Sequence, residues 1–176
     1  MRSFEAGTSH TIEFRLNGRA VRGQAEARLL LSDFLRHELG MTGTHVGCEH
    51  GVCGACTIRV NGKVVRACLF YAPQIDGKSV ETVEGLGEAS GALDALQTAF
   101  RKHHALQCGF CTPGILISLE TLIEQEPDAT EARIRDVLSG HLCRCTGYQT
   151  IVDATVEVLA QRRAADTPDT SGQQRE

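Results

Sequence analysis

The placement of eight cysteines constrains this chain more than any other feature. They stand at 48, 53, 56 and 68 and again at 108, 111, 143 and 145, two groups of four with none left over. In the first group four residues separate Cys48 from Cys53, two separate Cys53 from Cys56, and eleven more lead to Cys68, which is the spacing of a plant-type 2Fe-2S site. Four thiolates converge on a compact Fe2S2 core when three come from one tight loop and the fourth from a neighbouring strand. Gly47, Gly51 and Gly54 fit that demand, because a loop wrapped round an inorganic core needs positive φ angles and N–H groups turned toward the sulfurs. Structural zinc and plainly buried thiols are the competing readings, and the spacing and the glycines weigh against both.

The flanking sequence supplies a scaffold for such a loop. Ile12, Phe14 and Leu16 alternate with Thr11, Glu13 and Arg15, which predicts a half-buried strand over 10–16, and Asn17-Gly18 predicts a type I′ turn into a second strand over 19–25. A helix follows over about 29–39, with Leu31, Phe34, Leu35 and Leu39 on one face and Gly40 as its stop. Past the cysteine loop, 57–60, the turn Asn61-Gly62 and 63–68 repeat the hairpin, and 79–83 offers a last short strand. Two hairpins and a helix across a mixed sheet describe a β-grasp ferredoxin domain, expected over residues 1–84.

Glu84 to Gly91 holds three glycines without periodicity and is the expected domain boundary. Beyond it the pattern turns helical. Leu93, Leu96 and Phe100 mark a helix ending near His103, and Thr112-Pro113 opens another to about Glu126 with Ile115, Leu119, Leu122 and Ile123 apolar. A third begins at Thr130, carries Ile134, Val137 and Leu138 and stops at Gly140. A fourth over 151–162 places Val152, Val156 and Leu159 inward. The expected class is therefore α+β: the ferredoxin domain followed by a small four-helix bundle over 92–163, with a disordered tail over 164–176.

The second cysteine set falls in this helical half. Cys108 and Cys111 precede the helix at Pro113, and Cys143 and Cys145 follow the helix that ends at Gly140, so both pairs lie in interhelical loops. An antiparallel bundle brings two such loops to one end. The N-terminal end of the Pro113 helix points its positive dipole at this site, which favours thiolates. On their own these four residues suit structural zinc as well as a second 2Fe-2S cluster, with a redox dithiol a weaker option. A second redox centre beside the first gives an electron path, which a zinc site would not.

Three stretches in order, Gly47-Cys-Glu-His-Gly-Val-Cys-Gly-Ala-Cys-Thr57, Gln107-Cys-Gly-Phe-Cys-Thr-Pro-Gly114 and Cys143-Arg-Cys-Thr-Gly-Tyr148, resemble the small iron-sulfur subunit of the xanthine oxidase family of molybdenum hydroxylases. The resemblance covers nearly the whole chain short of the tail, with no departure at a ligand position. It implies two 2Fe-2S clusters on a chain with no catalytic residue or substrate site of its own. It implies a large partner subunit carrying the molybdenum-pterin cofactor and a medium one carrying FAD, in a heterotrimer or a dimer of heterotrimers. Two electrons left by hydroxylation of a small substrate, for which family frequency favours an N-heterocycle, would pass singly through the helical-domain cluster and then the plant-type cluster to FAD. By the same resemblance Gln107 hydrogen-bonds the pterin and the sulfur of Cys145 lies against the pterin amino group.

The remaining candidates carry blander readings. His45 and His50 flank the first loop and invite mixed-ligand coordination, but four cysteines already suffice. His103 and His104 end a helix, where partial positive charge is welcome, and Arg144 between two cysteines is as well placed to face solvent or a partner as to tune a potential. A net charge of −4, with eight Lys/Arg against fifteen Asp/Glu over residues 81–176, disfavours a nucleic-acid partner. No apolar run is long enough to span a membrane, and Met1–Gly7 carries no export pattern, so a cytoplasmic location is expected. The alternative function is an independent two-cluster electron carrier. A ferredoxin of that kind needs only the first domain, so the helical half argues against it.

Overall fold

Two Asn-Gly hairpins organise the N-terminal half. The computed structural model describes residues 7–87 and 91–166. Strand β1 (Ser9–Leu16) pairs antiparallel with β2 (Arg19–Glu26), and β3 (Thr57–Val60) with β4 (Lys63–Arg66). Both turn residues have positive φ in each hairpin, 49° and 78° at Asn17-Gly18 and 49° and 74° at Asn61-Gly62, as a type I′ turn requires. Strand β5 (Ser79–Glu81) lies between the hairpins, parallel to β1 and antiparallel to β3, so the sheet order is β2-β1-β5-β3-β4.

Ile12, Phe14 and Leu16 enter one core with Ile58, Val60 and Val80, and Leu31, Phe34 and Leu35 close it from above. The covering helix differs from the regular one expected. After one α-helical turn, α1 (Leu31–Asp33), it widens into a π-helical turn over Phe34–Glu38, in which Leu39 N–H reaches the Phe34 carbonyl at 3.2 Å. Gly23 on β2 explains how the Phe34 ring lies so close, since a Cβ there would stand 2.6 Å from its Cζ. The strand expected to reach Cys68 stops at Arg66, and Cys68 sits in a 3-10 turn over Ala67–Leu69.

Helices α2 (Ala95–Lys102), α3 (Thr112–Gln125), α4 (Glu131–Ser139) and α5 (Gln149–Asp166) share a second core that includes Leu96, Phe100, Leu119, Ile134, Val152 and Leu159. Asp94 caps α2 by accepting from Gln97 N–H at 2.7 Å while the Gln97 side chain accepts from Asp94 N–H at 3.1 Å, and Thr130 caps α4. Leu93 precedes α2 and is exposed. Val156 also faces out, and Val158, two residues further on, takes its place in the core. Helix α5 continues through Asp166, three residues into the expected tail, and 167–176 lie outside the described residues.

Helix α3 is buried all round from Gly114 to Ile123, the signature of a helix with neighbours on both faces. One face enters the helical core, and the other lies on β3 and β4. Arg59 of β3, itself buried, forms a forked ion pair with Glu124 of α3 and stands 3.5 Å from Glu81 of β5. The sheet and the helices therefore meet along α3, at whose N-terminal end the cysteine loops lie.

Candidate metal centres

The first loop curls through left-handed positions at Glu49, Gly51 and Gly54, with φ of 57°, 80° and 78°. These turns aim backbone N–H groups at Cys48 Sγ. Cys53 N–H lies 3.4 Å away, and hydrogen bonds from Cys53 and His50 bring the Cys48 thiol down to about 6. Gly47 serves differently from the expectation of a positive φ, because its role is close approach: a Cβ would lie 3.2 Å from Cys53 Sγ and 3.3 Å from the Phe110 ring. On the far side Cys56 and Cys68 are buried. Burial first, and then the facing Cys56 thiol, push Cys68 up to about 11. The four thiols thus meet as two pairs, Cys48 with Cys53 and Cys56 with Cys68.

The second set comes from two loops and meets in the same way. Cys108 Sγ is 3.6 Å from Cys145 Sγ, and Cys111 faces Cys143. Cys111 is the N-cap of α3, yet burial and the Cys143 thiol push it up to about 12, so desolvation outweighs the helix N-terminus expected to favour thiolate. At Cys143 burial acts upward, but the hydroxyl and N–H of Thr146 and the N–H of Cys145 outweigh it and the net shift is downward. Tyr148, at φ 69°, accepts from Cys143 N–H at 2.8 Å and donates to the His141 carbonyl at 2.9 Å, which anchors the loop from beneath. Gln107 donates to the Cys145 carbonyl at 3.0 Å, and both side chains are exposed.

This donor geometry fits a two-iron core better than a single ion. A binuclear cluster takes two thiolates at each iron, whereas tetrahedral zinc needs all four sulfurs round one point. All eight cysteines are free thiols arranged pairwise, and among the described residues no three His, Cys, Asp or Glu side chains close round a single ion position. The residues present could hold one 2Fe-2S cluster per set.

The other candidates take no place among the sulfurs. The His45 Nδ1 hydrogen-bonds with the Phe110 carbonyl at 2.8 Å, and its ring stacks on Phe110 with centroids 4.9 Å apart. His50 and Arg144 are exposed, and His103 pairs with Glu157 at 2.6 Å. Sequence reasoning missed His141, which is buried between the loops with Nε2 bonded to Ser118 Oγ at 2.8 Å. Burial and the nearby Arg66 hold its imidazole down at about 4. One signal for this contact was present: Gly114, Ser118 and Thr121 recur at helical spacing opposite the apolar stripe of α3.

Comparison with known proteins agrees with this geometry. Residues 14–82 match the 2Fe-2S iron-sulfur cluster binding domain, and residues 82–156 match a second model described as a 2Fe-2S binding domain. The chain is 51% identical over 154 residues to the caffeine dehydrogenase subunit gamma of Pseudomonas sp. (strain CBB1), covering 86% of this chain and 92% of that one. It is 52% identical over 150 residues to the nicotine 6-hydroxylase small subunit of Paenarthrobacter nicotinovorans, covering 85% and 90%. Among solved structures it superimposes on a chain of quinoline 2-oxidoreductase from Pseudomonas putida 86 with a TM-score of 0.85 and 45% identity, covering 90% of this chain and 99% of that one. Two cluster-binding domains in one chain, matched nearly end to end by small subunits of this kind, place it: the chain belongs to the small iron-sulfur subunits of the xanthine oxidase family of molybdenum hydroxylases.

Proposed function

We propose that the chain is the electron-transfer subunit of a molybdenum hydroxylase complex, with Cys48, Cys53, Cys56 and Cys68 holding one 2Fe-2S cluster and Cys108, Cys111, Cys143 and Cys145 the other. A bound 2Fe-2S cluster supplies one-electron chemistry. The observation that carries the reading is the direct junction of the two sets. Leu142 N–H, next to Cys143, donates to the carbonyl of Cys53 at 2.9 Å, so a single hydrogen bond links the backbones of the two ligand loops.

Two units, a β-grasp ferredoxin domain over 1–84 and a four-helix bundle over 92–163, divide the work. Thr82 N–H bonded to Asn17 Oδ1 at 2.9 Å and Gly43 N–H bonded to Glu84 at 2.8 Å tie the end of the first unit to its sheet, and Leu86 already packs on the helical core. Each cysteine loop is rimmed by exposed large apolar side chains, Val52, Leu69 and Tyr71 at the first and Leu106, Phe110 and Leu142 at the second. Such patches suit subunit contacts. The molybdenum-pterin subunit covers the second loop, where exposed Gln107 and Cys145 would meet the pterin, and the FAD subunit covers the first. No helix among the described residues is long and apolar enough to cross a membrane, and a cytoplasmic heterotrimer is the working assembly. The names of the relatives, which act on caffeine, nicotine and quinoline, favour an N-heterocyclic substrate for the complex.

The test is a metal and flavin assay on what copurifies with a tagged chain from its own host. About four iron per chain with about one molybdenum and one FAD is expected. About four iron with neither molybdenum nor flavin, and no partner chain, would favour a free two-cluster carrier instead.

A further inference from the structure

The segment Gly140–Leu142 is bonded to four separate parts of the molecule. The Gly140 carbonyl accepts from Arg66 Nη2 of β4 at 2.7 Å, and the His141 carbonyl accepts from Tyr148 Oη at 2.9 Å. The His141 ring bonds to Ser118 of α3 at 2.8 Å, and Leu142 N–H bonds to the Cys53 carbonyl at 2.9 Å. Burial changes sharply along the segment, with His141 2% exposed and Leu142 61% exposed. The imidazole edge lies flat against the first cysteine loop, since a Cβ on Gly54 would stand 2.5 Å from His141 Nδ1 and 2.7 Å from the Gly140 carbonyl. Nδ1 has no hydrogen-bond partner among the described residues. The ring is therefore held from one side, by Ser118, with its other edge used as a spacer against Gly54.

We propose that His141 is a positioning residue that fixes the second cysteine loop against the first, so that the separation and mutual orientation of the two metal centres depend on its side chain. The inference rests on the cluster assignment above and adds a residue that binds neither centre. Ser118 sets the depth of the ring, the ring sets the height of Gly140–Leu142 over Gly54, and the Leu142–Cys53 bond passes that height to the neighbouring Cys143. A smaller side chain would let the segment settle toward Gly54 and turn Cys143 with it.

Two reduced clusters are both paramagnetic, and each splits the other's resonance by an amount set by distance and orientation. The experiment is low-temperature EPR and redox titration of the purified complex carrying His141→Ala, Ser118→Ala or His141→Gln. About four iron per chain in the wild type tests the cluster assignment separately. Iron-loaded His141→Ala is expected to show a changed intercluster splitting, Ser118→Ala a smaller change in the same direction, and His141→Gln a return toward the wild-type splitting. An unchanged splitting and unchanged potentials at both centres in iron-loaded His141→Ala would overturn the proposal, even if thermal stability fell. If His141→Ala does not hold iron, Ser118→Ala decides by the same readout. Failure of both variants to hold iron would make His141 a folding residue and also overturn it.

Discussion

The two cysteine sites reach the same pairwise arrangement of thiols by opposite routes. The first is made within one stretch, where left-handed positions at Glu49, Gly51 and Gly54 turn the chain round its own sulfurs and Cys68 closes the set from an adjoining turn. The second has no such stretch. Cys108 and Cys111 lead into α3, Cys143 and Cys145 follow α4, and helix packing with the Tyr148 hydroxyl brings them together. Local conformation builds one site, and tertiary structure builds the other. The second is also the more open, with Cys108 and Cys145 exposed where Cys56 and Cys68 are buried.

The sharpest way to break this contrast is to disturb the contact that the sites share. In Gly114→Ala the new Cβ would collide with the Gly54 carbonyl and press on that of Ala55, backbone atoms with no rotamer to yield. Overpacking against backbone should cost on the order of 3 kcal/mol, and iron should be lost from both sites despite the second having no local fault. Retention of full iron at the first site, measured by metal analysis, would show that the loops are independent.

A milder probe is pH. Glu120, buried on α3, is pushed up to about 7, first by burial and then by Asp94 and Glu124, against the opposing charges of Arg162 and Arg59. An acid with a raised folded pKa keeps its proton longer in the folded state than in the unfolded state. Its stabilising share is whole below the ordinary value of 4.5 and is lost as pH rises through about 7. Thermal unfolding of the iron-loaded chain should therefore weaken by up to about 3 kcal/mol across that window. Glu120→Gln should flatten the slope, and an equally steep slope in the variant would assign it to another group.

Tyr148→Phe separates the sites most finely. It strips one hydrogen bond from Cys143 N–H and another from the His141 carbonyl while leaving the first loop untouched. A cost of about 1 to 2 kcal/mol is expected, seen as faster iron release from the second site alone under chelator. Equal acceleration at both sites would contradict a local role for the phenol.

This contrast also explains what the sequence made legible. Cysteine spacing, Asn-Gly turns and alternating strands are local patterns, and the structure follows them closely in the two hairpins over 9–26 and 57–66. The helical periodicities located α2 to α5, but they assigned α3 a single buried face. Its second face packs on β3 and β4, which lie more than 40 residues earlier in the chain, so no window of sequence contains both partners. Arg59 with Glu124 was hidden for the same reason, while Ser118 with His141 left only the helical spacing of Gly114, Ser118 and Thr121 as a trace. The π-helical turn at Phe34 was missed because an apolar face reads alike at four and at five residues per hydrogen bond.

The most direct measurement is EPR of the dithionite-reduced complex, wild type against Cys145→Ser, with iron counted in each. Two distinct 2Fe-2S signals and about four iron per chain are predicted for the wild type, with one signal and about half the iron lost in the variant while the other signal persists. A single signal with about two iron in the wild type, or both signals intact in Cys145→Ser, would contradict a chain that holds one cluster in each cysteine set.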